Sequence, residues 1–202
     1  MPAPVLAAET VASAISRWVP EHGPEPEPPD SRPSAVLALL ADGPEGVELL
    51  LTRRSMNLRN HGGEISFPGG RLDHGETYEQ AALREAEEEV GLLSGEVELV
   101  GRLQPVVTKV SNSWIMPIVG RVESPRELHG HAAEVDRVLW VPLAEFTSPG
   151  TFSEEWWVTP YGEWTVFFFE LADETVWGAT ARMVHQLLRV AHGIEGPEPP
   201  SL

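Results

Sequence analysis

The sequence of 202 residues contains no cysteine, which excludes a disulfide framework, a thiol nucleophile and a thiolate metal site. Any bound metal ion must therefore be held by oxygen or imidazole ligands, which favours hard divalent cations. Basic residues are also scarce, because 14 of them stand against 31 acidic residues and leave a formal net charge of −17. This balance argues against affinity for the backbone phosphates of DNA or RNA, so we expect no nucleic-acid partner.

Long hydrophobic runs are missing as well. No stretch approaches the roughly 18 apolar residues of a membrane span, and the first residues lack the basic segment of a secretory signal. We therefore expect a soluble cytoplasmic protein without a membrane partner. The hydrophobic fraction of 42% is enough for one domain of ordinary size with its own core.

Proline and acidic residues divide the chain into three parts. Residues 5–18 carry apolar side chains at helical spacing, whereas residues 20–33 are too rich in proline and acids to form a core. We expect an N-terminal helix and linker over residues 1–33, a catalytic domain over residues 34–192 and a tail over residues 193–202. The helix could cover its own domain or reach a partner across the linker, which leaves a homodimer open.

Apolar patterning predicts a mixed α/β (α+β) fold for the main domain. A helix is expected over Tyr78–Val90, where Thr77 and Gln80 can form a capping box and Gly91 can end the helix. Arg54 to Phe67 lacks a steady period and is predicted to be a loop. Predicted strands cover residues 34–41, 47–52, 98–107, 114–122, 135–141 and 164–171, and a closing helix covers residues 175–191. Strands on both sides of an internal helix predict a mixed sheet sandwiched between helices.

Three glutamates lie close together on the predicted internal helix. Glu85, Glu88 and Glu89 fall on one arc beside the apolar stripe that faces the core. Carboxylates at positions i, i+3 and i+4 repel one another unless a cation joins them. Ligation by oxygen alone suits Mg²⁺ or Mn²⁺. Because glutamate-rich helix faces are usually just solvated, the metal hypothesis depends on the surrounding pattern.

The glutamates belong to a longer pattern along the chain. The pattern reads Gly70, five residues, Glu76, seven residues, and then Arg84-Glu85-Ala86-Glu87-Glu88-Glu89-Val90-Gly91-Leu92. It resembles the Nudix box, the signature of the Nudix hydrolase superfamily. Seven specified positions, each matched by chance about one time in fifteen, give on the order of 10⁻⁸ per starting point. Ala86 stands where the superfamily prefers a bulkier aliphatic residue, so we expect local packing to differ there.

The resemblance implies a role for each residue of the box. Glu85, Glu88 and Glu89 would ligate the divalent ions. The carbonyl group of Gly69 is a further candidate ligand. Arg84 is expected to pair with Glu76 or to orient the neighbouring carboxylates.

The resemblance also implies a reaction, the attack of water on one phosphorus of a diphosphate. Gly69 and Gly70 would let the backbone turn tightly and approach a phosphate or metal ion. A carboxylate must act as the base. Glu85 is the candidate within the box, and Glu134 and Glu154 are candidates outside it.

A second motif lies directly upstream. The stretch containing Leu50-Leu51-Thr52, Arg54-Ser55, Arg59, Gly63 and Phe67-Pro68-Gly69-Gly70 resembles the signature of the coenzyme A pyrophosphatase branch. That resemblance implies hydrolysis of coenzyme A or an acyl-coenzyme A to 3′,5′-ADP and a 4′-phosphopantetheine product. Because this substrate has a 3′-phosphate as well as a diphosphate, Arg54 and Arg59 are predicted to bind phosphate. His61 and Gly70 are further candidate substrate contacts.

Two other functions compete with this hypothesis. One is a Nudix enzyme that prefers another substrate, such as ADP-ribose, a dinucleoside polyphosphate or an oxidised nucleotide. The other is a nucleotide-binding module that has kept the fold without catalysis. Such modules usually lose carboxylates of the box, whereas Glu85, Glu88 and Glu89 are all present here.

Overall fold

The computed structural model describes residues 6–18, 27–28, 30–58, 60–108, 111–160 and 162–194. The predicted phosphate ligand Arg59, most of the predicted linker and most of the predicted tail lie outside these residues. In chain order the elements are α1 (Ala8–Arg17), β1 (Arg32–Gly43), β2 (Gly46–Arg54), β3 (Ile65–Ser66), β4 (Gly69–Arg71), α2 (Tyr78–Val90), a 3-10 turn (Ser94–Glu96), β5 (Glu98–Arg102), β6 (Val106–Thr108), β7 (Ser113–Arg121), β8 (Val135–Pro142), α3 (Leu143–Phe146), β9 (Phe152–Thr159), β10 (Gly162–Glu170), β11 (Thr175–Trp177) and α4 (Gly178–Ala191).

Strand β1 lies at the centre of a mixed sheet. In the described ranges, β1 to β8 form one eight-stranded sheet with the order β3-β2-β1-β7-β5, in which β4 pairs with β1, β6 with β7 and β8 with β2. β1 runs parallel to β7 and antiparallel to β2 and β4. Residues 35–41 of β1 are all apolar and, except for the partly buried Val36, all buried, as expected for a strand that is covered on both faces.

Alternate residues of β1 enter different cores because successive side chains of a strand point to opposite faces. Ala35, Leu37 and Leu39 pack in the core that contains α2. Ala38 and Leu40 pack in the core that contains α1 and α4. The mixed sheet is therefore sandwiched between helices, which confirms the predicted fold class. Helix α1 packs against α4 and β5, so it covers its own domain.

A second sheet was only partly predicted. It has the order β11-β10-β9, of which the sequence indicated β10 alone. β9 was missed because its side chains are exposed at nearly every position, with Trp156 and Trp157 adjacent, so no alternation marks it. The predicted closing helix began three residues too early, since Thr175–Trp177 is β11. Gly178, the first residue of α4, adopts φ 63° and is the signal that could have placed the boundary.

Two other predicted elements differ in detail. The predicted loop from Arg54 to Phe67 contains the short strand β3, which pairs with β2. The predicted strand over residues 98–107 is divided into β5 and β6, with Pro105 in the gap between them, where its missing N–H prevents regular pairing. In the described part of the chain, no helix is long and apolar enough to cross a membrane.

Candidate metal and phosphate site

Helix α2 has the predicted start and end. The side-chain hydroxyl of Thr77 accepts a hydrogen bond from the Gln80 N–H, and the Gln80 side chain accepts one from the Thr77 N–H. Gly91 adopts φ 72° and its N–H donates to carbonyl groups of the last turn. Both ends of α2 are therefore fixed by local sequence, and this sets the register of the glutamates between them.

The three glutamates of α2 lie at graded depths. The side chain of Glu89 is 3% exposed, that of Glu85 is 16% exposed and that of Glu88 is 61% exposed. A line of carboxylates thus runs from the interior to the surface of the protein. This arrangement gives one deeply held ligand and others that solvent or a substrate can reach.

Glu89 is a buried carboxylate with two partners. Its Oε2 accepts a hydrogen bond of 3.2 Å from the Gly69 N–H, and its Oε1 lies 3.6 Å from Nη1 of Arg54. The pKa of Glu89 is raised to about 7, chiefly by burial and also by the negative charges of Glu85 and Glu134, while the Gly69 N–H and Arg54 oppose the rise. A cation bound beside this side chain would therefore offset a buried negative charge.

The two glycines of β4 are required for different steric reasons. A Cβ atom on Gly69 would lie 2.4 Å from the carbonyl oxygen of Ala35, which is backbone that cannot move aside. A Cβ atom on Gly70 would lie 2.3 Å from Oε1 of Glu85. The backbone of β4 thus touches the carboxylate of Glu85 at a distance that a side chain would prevent.

Arg84 joins the carboxylates of the box. Its Nε donates to Glu76 at 2.9 Å, and its Nη1 donates to Glu85 at 2.9 Å and to Glu88 at 3.1 Å. Its Nη2 also donates to the carbonyl oxygen of Arg71. The hydrogen bond from Arg84 lowers the pKa of Glu76, and the same hydrogen bond raises the pKa of Arg84. The expected pairing of Arg84 with Glu76 and its neighbours is therefore observed.

Glu134 is brought to the site by a long connection between β7 and β8. Its carbonyl oxygen accepts a 2.8 Å hydrogen bond from the Ser55 N–H, and His131 donates its N–H to the carbonyl oxygen of Glu89. The negative charge of Glu134 raises the pKa of both Glu85 and Glu89, so its carboxylate acts on the same centre. Burial is the largest cause of the raised pKa of Glu85.

The other predicted residues are placed differently. Glu154 lies exposed on β9, in the smaller sheet. His61, at φ 58°, pairs its Nδ1 with Glu64 Oε2 at 2.9 Å and is largely exposed. Arg59 lies outside the described residues. Arg54 is therefore the predicted phosphate ligand that the structure brings to the box.

A groove of about 740 Å³ lies along the Arg84 side of α2. Its acidic lining residues are Asp73, Glu76, Glu87 and Glu88. So acidic a lining repels a diphosphate unless cations neutralise it. The sequence did not indicate this groove, because Asp73 and Glu87 occupy unspecified positions of the box.

The donor set fits a hard divalent ion. Its side-chain ligand atoms are carboxylate oxygens, and the lack of a Cβ atom at Gly70 lets the Glu85 carboxylate lie against the backbone of β4. In the conformation described here, however, no three acidic or histidine side chains of the described residues converge as a metal-binding group. The arginines explain the difference, because Arg54 and Arg84 hold the carboxylates that an ion would gather.

Comparisons with known proteins agree with this geometry. Residues 31–161 match the model of the NUDIX domain. The chain is 36% identical to the uncharacterized Nudix hydrolase NudL of Photorhabdus laumondii over 168 residues, which is 80% of this chain and 89% of that protein. It is 33% identical to Nudix hydrolase 3 of Caenorhabditis elegans over 165 residues, 73% of this chain and 67% of that protein.

A solved structure shows the same fold. The Nudix hydrolase RenU of M. smegmatis matches with a TM-score of 0.59 and 21% identity, covering 83% of this chain and 89% of that chain. Nudix hydrolases are pyrophosphohydrolases that act on small nucleotide derivatives and generally use divalent metal cations. From the NUDIX domain match and these relatives, we conclude that the chain belongs to the Nudix hydrolase family and is an enzyme of this kind.

Proposed function

We propose that this enzyme hydrolyses the diphosphate bond of coenzyme A or an acyl-coenzyme A, with Mg²⁺ or Mn²⁺ as its cofactor. One observation carries the proposal: Arg54 of the upstream motif lies 3.6 Å from Glu89 of the Nudix box. Arg54 and Glu89, which are 35 positions apart in the sequence, thus meet at one place. A phosphate-binding guanidinium beside the carboxylates is what a diphosphate substrate requires.

The residues of the site have different proposed roles. Glu85, Glu88 and Glu89, with the Gly69 carbonyl group as a further candidate, would hold the divalent ions. When bound, such ions neutralise phosphate charge and lower the pKa of a bound water. Arg84 positions the carboxylates through hydrogen bonds.

Substrate contacts come from different residues. Arg54 binds a phosphate group, and Arg59, His61 and the Gly70 backbone remain proposed contacts. The two product phosphates separate when water oxygen bonds to one phosphorus and the bridging oxygen leaves with the other.

The base that accepts the proton of the attacking water is a carboxylate. Glu134 is a better candidate than Glu85, because Glu85 already pairs with Arg84, whereas Glu134 influences the same centre through its negative charge. Glu134→Gln should lower kcat with little change in KM, because a base acts only in the transition state. Glu154→Gln is the matched control, since Glu154 is exposed on β9. Equal kcat in both variants would remove Glu134 from consideration and leave Glu85.

The substrate is tested by product analysis with purified protein. Coenzyme A and Mg²⁺ or Mn²⁺ should give 3′,5′-ADP, detected by ion-pair chromatography. A panel of ADP-ribose, a dinucleoside polyphosphate and an oxidised nucleotide tests the alternative substrates. Efficient turnover of one of these with none of coenzyme A would overturn the substrate, although the enzyme would remain a Nudix hydrolase.

The metal site is tested with Glu89→Gln. This change keeps the shape of the side chain and removes the deepest carboxylate, so it should abolish metal-dependent turnover while circular dichroism stays unchanged. Unchanged turnover would mean that the ions bind elsewhere. A homodimer is also proposed, and light scattering of the purified chain tests it.

A further inference from the structure

Two anions compete for the side chain of Arg54. In the structure its Nη1 lies 3.6 Å from Oε1 of Glu89. The proposed function also requires Arg54 to bind a substrate phosphate. One guanidinium cannot hold the buried Glu89 carboxylate and a substrate phosphate in the same geometry. Which anion Arg54 contacts must therefore depend on what else is bound at the site.

The contact with Glu89 compensates a buried charge. The Glu89 side chain is 3% exposed, whereas that of Arg54 is 27% exposed at the end of β2. A buried carboxylate is costly unless a cation or hydrogen-bond donors offset its charge. In the structure, Arg54 and the Gly69 N–H supply this compensation.

A divalent ion at Glu89 changes this balance. The ion takes over the role of compensating charge, and a guanidinium held beside it would be repelled, because like charges at about 4 Å interact unfavourably even at high dielectric constant. Arg54 is partly exposed and therefore has room to turn towards solvent. The anion available to it there is the phosphate of a substrate, which a guanidinium binds with two hydrogen bonds.

We propose that the side chain of Arg54 exchanges between two anions: it pairs with Glu89 when no divalent ion is bound there and with a substrate phosphate once a divalent ion is bound. This inference rests on the proposed function, which supplies the ion and the diphosphate. Its consequence is a linkage between the two ligands. Loading with metal releases the guanidinium for substrate, and by reciprocity substrate strengthens the binding of metal.

The test measures metal binding rather than turnover. Binding of Mn²⁺ to the full-length protein without substrate is followed by electron paramagnetic resonance of the free ion, at about pH 8.5 so that the carboxylates are ionised. Arg54→Gln removes the competing cation, so its affinity for Mn²⁺ should be roughly three- to tenfold higher than that of the wild type. If Arg54 merely supported the structure of the site, its loss would weaken the binding of Mn²⁺. A gain in affinity for Mn²⁺ therefore distinguishes the exchange from a structural role.

Arg53→Gln is the matched control. Arg53 is adjacent on β2 and carries the same charge, but its Nη1 pairs with Glu174 at 3.2 Å. Its loss should leave Mn²⁺ affinity at the wild-type level. If Arg54→Gln binds Mn²⁺ no more tightly than the wild type and Arg53→Gln do, the inference is overturned. A wild-type protein that binds no Mn²⁺ would instead contradict the proposed metal site itself, so the two failures are distinguishable.

A structural measurement covers the case in which Arg54→Gln does not fold. Crystals of the wild-type enzyme soaked in Mn²⁺ should show the Arg54 guanidinium withdrawn from Glu89. A guanidinium that still contacts Glu89 while the ion is bound would overturn the exchange.

Discussion

Replacement of Gly70 by alanine should separate catalysis from stability. The new Cβ atom would lie 2.3 Å from Oε1 of Glu85, whereas ordinary contact begins at 3.4 Å, so the carboxylate must retreat by about 1 Å. Because the obstructed atom is the end of a flexible side chain, the fold can yield at a cost of about 1 kcal/mol in rotamer strain and a weakened hydrogen bond to Arg84. A shift of 1 Å at a reacting centre, however, can lower the rate on the order of 100-fold.

The assay compares kcat in metal-dependent hydrolysis with the melting temperature of the same preparation. For a chain of this size, about 1 kcal/mol lowers the melting temperature by roughly 2–4 °C. Gly95→Ala is the matched control, because a Cβ atom at Gly95 meets nothing within 4 Å. If Gly70→Ala turns over within about twofold of the Gly95→Ala control, the close approach of β4 to Glu85 does not matter for catalysis and our interpretation of this glycine is wrong.

Three further predictions concern stability. Gly69→Ala should cost about 2–3 kcal/mol in the free energy of unfolding, more than Gly70→Ala, because its Cβ atom meets backbone atoms that cannot move; a thermal melt that matches the wild type would contradict this. Thr77→Ala removes the capping box of α2 and should cost about 1 kcal/mol in chemical denaturation, with kcat per folded molecule retained. Burial, with the nearby positive charges of Arg189 and Arg182, lowers the pKa of His185 from 6.5. Because the unfolded chain then binds a proton more readily than the folded chain, the free energy of unfolding should fall as the pH drops below 6.5 through the pKa of the folded state. His185→Gln should flatten this decline in urea titrations between about pH 7.5 and 5, and an equally steep decline would assign it to other groups.

The depth of each glutamate could have been predicted from the helical period alone. With about 100° per residue and the buried Ala82 at zero, Glu89 falls at about 340°, Glu85 at about 300° and Glu88 at about 240°. The exposed fractions of these side chains follow the same order, from 3% through 16% to 61%. The local sequence thus determines which carboxylate is buried, because helix register and the packing stripe are both local.

The position of Glu134 could not have been predicted in the same way. It depends on the His131 N–H, which donates to the carbonyl oxygen of Glu89, 42 positions earlier in the chain. Hydrophobic period carries no information about such a contact between a loop and the end of a helix. The approach of Gly70 to Glu85 is similar, because it follows from the pairing of β4 with β1 and the packing of α2 over that sheet.

The charge of the site explains how so acidic a protein can bind an anionic substrate. The four carboxylates of the box and the two arginines that contact them, Arg54 and Arg84, give four negative and two positive charges, a local balance of −2 when all are ionised. A diphosphate that approaches a site with this net negative charge is repelled. Two divalent ions would reverse the sign, and release of Arg54 from Glu89 would then place a free guanidinium next to the substrate. From these charges we predict that a divalent ion binds before the substrate.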